Sequence, residues 1–397
     1  MIRTIKYRLY PTEKQKVLLE KHFNACRFVY NLSLQTRETA YSSFKIRLHK
    51  YTMSAQLTDL KKECPWLNEV DRACMEYEFE KQDLAYNMFF RGAGFPRYKR
   101  KKNSASFTNL HGNLIKFNEN KVSIPKFREG IKFSNSYLIT SKIRSYTILK
   151  TVTGKYFITI SHDKEKANNA TPKQVNITGF DLGISSFIID SSGNKIDAPK
   201  HFRKDMSKLK VLQREASRKL KGSNNSKSAY LKVAIHHEKV LNKRTDFLHK
   251  LSDKLTNNSQ VLCFEDLNVK GMIKNRKLAL SISDASWSKF TDMCQDKAEM
   301  KGGVLIKIPR FEPSSKRCSA CNELNTLLKL SDREWTCEIC GTIHDRDINA
   351  AINIKNYVLN NYCGGVHREK SVELSTIVEA VKQKGKSKPH QTKKQLP

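Results

Sequence analysis

Hydrophobic positions divide the first ninety residues into a strand followed by helices. In the first eleven residues, Ile2, Ile5, Tyr7 and Leu9 recur at roughly every second position and the run ends at Pro11, which predicts a β-strand. From residue 12 to 90 the apolar positions follow a 3.6-residue period that is broken near Pro65, which predicts helices. A helix-turn-helix remains one possible interpretation of this stretch.

Short apolar runs then alternate with turn residues between positions 105 and 163. Gly, Asn and Pro separate runs such as KVSIPKF, SYTILKTV and KYFITISHD at regular spacing. This pattern predicts a small antiparallel barrel, with the N-terminal strand as a candidate to complete it. A polar linker, residues 164–174, follows.

Beyond the linker the pattern becomes α/β. VNITGFDLGIS and SFIIDSSGNKI predict a strand pair, and a helical hairpin is predicted over roughly 203–256 with a break at 222–225. An apolar strand (260–268), a helix (286–301) and another strand follow. The Lys-rich segment 368–397 is predicted to be disordered, above all its end, GKSKPHQTKKQLP.

The charge indicates a polyanionic partner. Lys and Arg number 73 against 39 Asp and Glu, giving a net charge of +34 and a pI near 9.8. Nucleic acid is the first candidate partner and an acidic membrane surface the second. No apolar run approaches 18 residues and the first residues lack the apolar core of a secretory signal, so we expect a cytoplasmic protein without a membrane partner.

Basic residues concentrate in two places. RGAGFPRYKRKK (91–102) carries six basic residues and no acids, and the helical hairpin carries 15 against 5. A solvated linker is the ordinary interpretation of the first segment, but a phosphate-contacting loop is favoured in so basic a chain. The candidate nucleic-acid contacts are Arg97, Lys99, Arg100, Lys101, Lys102, Lys219 and Arg244.

Four of the ten cysteines have metal-ligand spacing. Cys318-x-x-Cys321 and Cys337-x-x-Cys340 are separated by 15 residues, which predicts one tetrahedral Zn²⁺ held by two tight turns. Gly341 follows the second pair and Asn322 the first, and both residue types tolerate left-handed backbone. We expect this zinc to be structural and the other six cysteines to be small buried side chains.

Three carboxylates are candidates for catalysis. Asp181 and Glu265 each end an apolar strand, and Asp347 begins an apolar-faced helix. Taken singly, each could be solvated or act as a cap. Together, at the carboxyl ends of parallel strands, they would need cations, and oxygen ligands favour Mg²⁺ or Mn²⁺. Two such ions about 3.5–4 Å apart support phosphodiester hydrolysis, so the pattern favours a metal-dependent nuclease.

These motifs resemble a known family. GFDLGIS, FEDLN and PSSKRCSAC…WTCEICGTIHDRDINAAINI resemble the nuclease core and inserted zinc ribbon of TnpB, the transposon-encoded relatives of type V CRISPR effectors. The start, KYRLYPTEKQKVLLEKHFNACRFVYNLSL, and GFPRYKRKKNSASF and NKRTDFLHKLS resemble TnpB as well. The similarity extends over about residues 1–365.

The resemblance implies a multi-domain α+β and α/β protein with an RNase H-like (RuvC) nuclease core. It implies a β-barrel wedge domain (1–12 and 105–170), a helical recognition lobe (13–104), the nuclease domain (171–310 and 345–365), a zinc ribbon (311–344) that binds target nucleic acid, and a basic disordered tail (366–397).

The function that the resemblance implies is RNA-guided cleavage of DNA. A monomer would bind one guide RNA from the transposon end, recognise a short flanking motif in double-stranded DNA, and cut with Asp181, Glu265 and Asp347 as Mg²⁺ (or Mn²⁺) ligands. Two alternatives stay open: a guided DNA-binding repressor without cleavage, and a transposase that performs strand transfer.

Overall fold

The computed structural model describes residues 2–101, 104–134, 139–163, 175–329, 331–362 and 374–386. Two compact units divide the chain, Met1–Lys166 and Ala167–Pro397, and each is described by itself.

The first unit contains a sheet and a group of helices. Its strands are β1 (Ile2–Tyr10), β2 (Ala105–Asn109), β3 (Lys116–Asn118), β4 (Lys121–Ile124), β5 (Phe127–Phe133), β6 (Ile143–Lys150) and β7 (Tyr156–Asp163). Its helices are α1 (Glu13–Phe44), α2 (Lys50–Glu63) and α3 (Arg72–Phe90), with 3₁₀ turns at Pro65–Glu69 and Gly112–Leu114. The predicted strand, helices and break near Pro65 are thereby confirmed.

The seven strands form one antiparallel sheet in the order β2-β6-β7-β1-β5-β4-β3. The N-terminal strand is central, because β1 pairs along its length with β7 and at its end with β5. Among the described residues, β2 and β3 are the two edges of the sheet. Alternate residues of the strands share one core with the inner faces of the helices, as Tyr7, Ile131 and Ile158 do with Leu19 and Phe23.

The second unit contains a five-stranded sheet and a two-stranded hairpin. Its strands are β8 (Ile177–Asp181), β9 (Ser186–Asp190), β10 (Lys195–Asp197), β11 (Val261–Glu265), β12 (Val304–Ile308), β13 (Glu334–Thr336) and β14 (Ile343–Asp345). Its helices are α4 (His201–Ser217), α5 (Asn224–Asn258), α6 (Val269–Met272), α7 (Ala279–Ala285), α8 (Trp287–Met300), α9 (Arg346–Tyr362) and α10 (Leu374–Lys386). The predicted helical hairpin corresponds to α4 and α5.

The five-stranded sheet has the order β10-β9-β8-β11-β12, parallel from β8 to β12 and antiparallel from β8 to β10. Helices cover both faces. On β11, Leu262 and Phe264 pack on the side of α5 and α8, whereas Val261 and Cys263 pack on the side of α9 and α10. The strand alternation therefore sorts each residue to one layer or the other.

One predicted feature is wrong. Residues 366–397 were expected to be a disordered tail, but residues 374–386 form α10, with Leu374 and Ile377 buried in the core beside α9. The Lys-rich composition concealed apolar residues at positions 374, 377, 378 and 381, a helical spacing. The other residues of this segment, and all of the linker 164–174, lie outside the described residues.

Among the described residues, no helix combines the length and the apolar character that crossing a membrane requires.

Candidate active site and metal centre

Strand alternation places two of the predicted carboxylates on the same side of the second unit's sheet. Asp181 is the last residue of β8 and Glu265 is the last residue of β11, and these strands are parallel neighbours with Phe180 opposite Phe264. Asp181 has the same parity as Gly179, whose Cα lies against the backbone of α9, and Glu265 has the same parity as Cys263. Both side chains therefore emerge at the strand ends on the side that α9 covers.

The third carboxylate arrives from α9, where Asp347 lies in the first turn. Burial of Asp181 and, after it, the charges of Glu265 and Asp347 together raise the pKa of Asp181 to about 7. A hydrogen bond from the Leu182 backbone and the charge of Arg346 oppose that rise in pKa. The structure therefore brings the three predicted residues together, at a point where the charges of Glu265 and Asp347 disfavour ionisation of Asp181.

Two side chains that sequence reasoning missed contact these acids. The Ser314 hydroxyl donates a hydrogen bond to Glu265 Oε1. Burial raises the pKa of Glu265, and this hydrogen bond opposes the rise. Arg333 lies 3.6 Å from Asp347 Oδ2. Both residues come from the segment between β12 and α9, and nothing in their local sequence marks them.

The donor set fits a hard divalent cation. The three side chains offer carboxylate oxygens alone, the ligand type that Mg²⁺ and Mn²⁺ prefer. Burial and the two neighbouring carboxylates raise the pKa of Asp181, and a bound cation would stabilise its charged form. In the described part of the chain these oxygens are not all within 4.8 Å of one another, unlike the cysteine sulfurs described below.

Asp345, two residues before Asp347, has a different position and different partners. Its Oδ1 accepts hydrogen bonds from the backbone N–H groups of Asp347 (3.1 Å) and Ile348 (3.0 Å), so it caps α9. Its Oδ2 accepts a hydrogen bond of 2.5 Å from Lys195. Burial would raise the pKa of Asp345, but these hydrogen bonds outweigh it and the pKa is lowered. Asp345 is therefore the cap of the helix in whose first turn Asp347 lies.

The four predicted cysteines form a cluster whose sulfurs all lie within 4.8 Å of one another. Cys318 Sγ is 3.6 Å from Cys340 Sγ, and Cys321 Sγ is 3.6 Å from Cys337 Sγ. A tetrahedral zinc with Zn–S bonds of about 2.3 Å requires sulfurs about 3.8 Å apart, so the cluster fits Zn²⁺. Among the other described cysteines, Cys64 is half-buried and the rest are buried: Cys26, Cys74, Cys263 and Cys294.

The backbone at each cysteine pair explains this geometry. Asn322 and Gly341 have φ values of 67° and 69°, and their N–H groups donate to the carbonyls of Cys318 and Cys337 at 2.9 Å. The expectation that Asn322 tolerates left-handed backbone is confirmed. Sequence reasoning missed His344, whose Nε2 lies 3.0 Å from Cys318 Sγ and whose ring packs on Trp335.

The cysteine module, residues 313–345, is tied to α9 at two places. Its last strand, β14, leads directly into the helix. Its first cysteine turn is held by two asparagines of α9, since Asn349 and Asn353 donate to the Arg317 carbonyl at 2.7 and 2.6 Å. Asn353 also donates to the Ser314 carbonyl at 2.7 Å. The module and the helix that carries Asp347 are therefore one hydrogen-bonded assembly.

The basic candidates fall into two groups. Arg97, Arg100, Lys101 and Lys219 are exposed, and Lys102 lies outside the described residues. Lys99 instead forms an ion pair with the buried Glu78, and its ammonium lies 4.1 Å from the centre of the Tyr30 ring. Arg244 donates to Ser286 Oγ (3.1 Å) and the Ser283 carbonyl (3.3 Å), which links α5 to the start of α8.

Comparisons with known proteins agree along most of the chain. A family described as "Probable transposase" matches residues 157–276, "Cas12f1-like, TNB domain" matches 287–354, and "Helix-turn-helix domain" matches 1–45. Over that last range the structure has β1 followed by the single long helix α1.

Relatives match nearly the full length. A Streptomyces pristinaespiralis protein named "Putative RNA-guided DNA endonuclease" is 36% identical over 357 residues, covering 89% of this chain and 88% of its own. "Putative RNA-guided DNA endonuclease InsQ" of Escherichia coli (strain K12) is 26% identical over 89% of this chain and 91% of its own. A solved Cas12f1–sgRNA–target DNA complex matches 90% of this chain and 99% of its own, with 14% identity and a TM-score of 0.35.

Proposed function

The chain belongs to the TnpB family, and from this premise we propose that it is an RNA-guided DNA endonuclease encoded by an insertion sequence. A guide RNA derived from the transposon end would select the target by base pairing, and the protein would read a short flanking motif in the duplex.

The observation that carries the proposal is the meeting of Asp181, Glu265 and Asp347 at one sheet edge, where burial and the charges of the other two acids raise the pKa of Asp181 to about 7. We propose these three as the ligands of Mg²⁺ or Mn²⁺. Such ions, when bound, supply an activated water and stabilise the leaving oxygen of a phosphodiester.

The protein's own groups hold the site in position. The ends of β8 and β11 hold Asp181 and Glu265 in position. Asp345 caps the start of α9 and thereby sets the position of Asp347 in the first turn of that helix. Ser314 orients the Glu265 carboxylate through its hydrogen bond. Arg333 supplies a positive charge beside Asp347 in the protein without metal.

The finer architecture is part of the same proposal. The five-stranded order β10-β9-β8-β11-β12 supports an RNase H-like core over 171–310 and 345–365. The cysteine cluster supports a structural Zn²⁺ ribbon over 311–344 that contacts target nucleic acid. We propose that 1–12 with 105–170 is the wedge domain, that 13–104 is the recognition lobe, and that a monomer binds one RNA.

The test begins with the RNA that co-purifies with the full-length chain. After sequencing, that RNA defines a matched DNA duplex, and cleavage of this duplex is measured with and without Mg²⁺. We expect Mg²⁺-dependent cleavage of the matched duplex and none of a duplex whose target sequence is scrambled. Specific binding without cleavage would support the repressor alternative, and strand joining by RNA-free protein would support the transposase alternative.

A further inference from the structure

The first unit contains a large cavity that the proposed chemistry does not use. It has a volume of about 770 Å³ and lies between the C-terminal parts of α1 and α3 and the segment that follows α3. This volume is in the range of pockets that bind a ligand of several rings. Its lining includes Arg37, Tyr41, Tyr86, Phe89, Phe90 and Phe95.

Most of the aromatic residues that line this cavity are exposed. Tyr41 is 50% exposed, Phe90 is 73% exposed and Phe95 is 46% exposed. Phe95 packs edge-on against both Tyr86 and Phe89, with ring centres 5.7 and 5.3 Å apart. Exposed aromatic clusters are typical of binding surfaces rather than of ordinary solvent-facing positions.

A buried arginine beside the rings has unused hydrogen-bond donors. Arg37 is 6% exposed, and its Nη1 donates to Asp83 Oδ1 at 2.6 Å. Its Nε and Nη2 atoms are buried and have no hydrogen-bond partner within the part of the chain that the structure describes. A buried donor without a partner is costly, so the arrangement favours a ligand with an acceptor oxygen or nitrogen.

The charge around the cavity narrows the class of ligand. Its two carboxylates are engaged, Asp83 by Arg37 and Glu38 by the Tyr98 hydroxyl at 2.7 Å. The segment that carries Phe95 also carries the exposed Arg97, Arg100 and Lys101. A nucleotide fits these features, because its base can stack on the rings and accept hydrogen bonds from the guanidinium, and its phosphate is attracted by the positive charge.

We propose that this cavity holds an unpaired base of the bound RNA, stacked on the exposed rings with an acceptor atom toward Arg37. Single-stranded bases are the parts of RNA that proteins recognise by aromatic stacking. RNA is favoured over a DNA strand because, under the proposed function, the guide RNA is bound before any target DNA. This inference rests on the proposed function.

The experiment compares the RNA affinity of variants at two aromatic residues that line the cavity, Tyr41 on α1 and Phe90 on α3. Tyr41→Ala and Phe90→Ala remove stacking surface, whereas Tyr41→Phe and Phe90→Tyr keep it. Phe44→Ala is the matched control, because Phe44 is 71% exposed, lies on α1 three residues after Tyr41, and does not line the cavity. The probe is the RNA that co-purifies with the wild-type chain, transcribed in vitro, and its DNA copy is tested in parallel.

We expect Tyr41→Ala and Phe90→Ala each to weaken RNA binding about tenfold, with the conservative variants and Phe44→Ala within about twofold of wild type. The dependence of log Kd on log salt should keep its slope, because no phosphate contact is removed. Ultraviolet crosslinking of the wild-type complex should place an RNA base on the peptides that contain Tyr41 or Phe90.

Three results would overturn the inference. The first is equal RNA affinity in the cavity variants and the control. The second is a loss confined to the DNA copy, which would make a DNA strand the occupant. The third is a crosslink map without either peptide. In each of these cases wild-type RNA binding leaves the proposed function standing, whereas a wild-type chain that binds no RNA would remove both.

Discussion

At the scale of single residues, the two aspartates at the start of α9 should have separable roles. Asp347→Asn should leave the fold, RNA binding and target binding intact and reduce cleavage by at least about a hundredfold, because it removes a metal-binding charge. Asp345→Asn should be mild, since asparagine also caps helices, and Asp345→Ala should cost about 1 kcal/mol of stability. The measurement is cleavage of a guide-matched duplex in Mg²⁺ by each purified complex.

Asp345→Asn is the matched control for Asp347→Asn, because both replace one carboxylate by an amide within the same turn. The Asp345 variant also removes the charge that Lys195 contacts, so a small decrease in stability is expected. Robust cutting by the Asp347 variant, together with abolished cutting by the Asp345 variant, would reverse the assignment.

The raised pKa of Asp181 makes a prediction about stability and pH. An unfolded aspartate has a pKa near 3.9, whereas the folded value is about 7. Ionising Asp181 therefore costs the folded state no stability below about pH 4. The free-energy penalty grows between about pH 4 and 7 and is complete above that range. Asp181→Asn removes this penalty. In Mg²⁺-free buffer, the change that it causes in the free energy of unfolding should therefore be more favourable at pH 8 than at pH 4.5 by about 1–3 kcal/mol.

Urea unfolding of wild type and Asp181→Asn at the two pH values checks this. Any packing cost of the amide is independent of pH and cancels in the comparison. Added Mg²⁺ should stabilise wild type at pH 8 and have a smaller effect on the variant. An identical pH dependence in the two proteins would show that Asp181 carries no such penalty.

At the scale of elements, the contact between β8 and α9 decides where Asp347 lies. A Cβ atom on Gly179 would come within 2.1 Å of the Ala351 carbonyl oxygen and 2.7 Å of the Lys355 nitrogen, both backbone atoms of α9. Gly179→Ala should therefore displace the helix, lower the free energy of unfolding by about 1–3 kcal/mol and sharply reduce cleavage. Thermal unfolding and the cleavage assay measure the two effects.

Gly94→Ala is the control for a glycine substitution, because nothing lies within 4 Å of its added Cβ and its φ is not positive. We expect its stability to remain within about 0.5 kcal/mol of wild type. If Gly179→Ala proved as harmless as Gly94→Ala, the close packing of β8 on α9 would not be what positions the site.

The cysteine module should be structural. Cys318→Ser or Cys337→Ser should remove one zinc per chain, destabilise the module and impair cleavage, because the module is hydrogen-bonded to α9 through Asn349 and Asn353. Cys64 lies outside the cluster, so the Cys64→Ser variant should retain one zinc per chain. Metal content by mass spectrometry and limited proteolysis provide the measurements. Full folding and activity of zinc-free protein in Mg²⁺ would contradict a structural role.

Short-range sequence patterns predicted some of these features, and contacts that form only in the tertiary structure could not be predicted from them. Strand alternation and the strand ends identified Asp181 and Glu265, and the start of an apolar-faced helix identified Asp347. Ser314 and Arg333 could not be found in this way, because each contacts an acid on a distant element, β11 for Ser314 and α9 for Arg333, and only the tertiary fold brings them together. A basic run likewise reveals its charge but not that Lys99 turns inward to Glu78 while Arg97 and Arg100 stay exposed.

At the scale of the whole molecule, a charge of +34 predicts strong but unselective attraction to nucleic acid. RNA-free protein should bind duplex DNA without sequence preference, with an affinity that falls steeply as salt rises, because bound counterions are released. Specificity should appear only with the guide, since base pairing then selects the target.

Replacing Arg97, Arg100 and Lys101 by alanine should make the dependence of log Kd on log salt less steep. The slope should fall by up to about 0.9 for each phosphate that these side chains neutralise, equally for matched and unmatched DNA. Titrations at several salt concentrations, with and without RNA, measure both effects, and sequence-specific cleavage by protein shown to be free of RNA would contradict the guided mechanism.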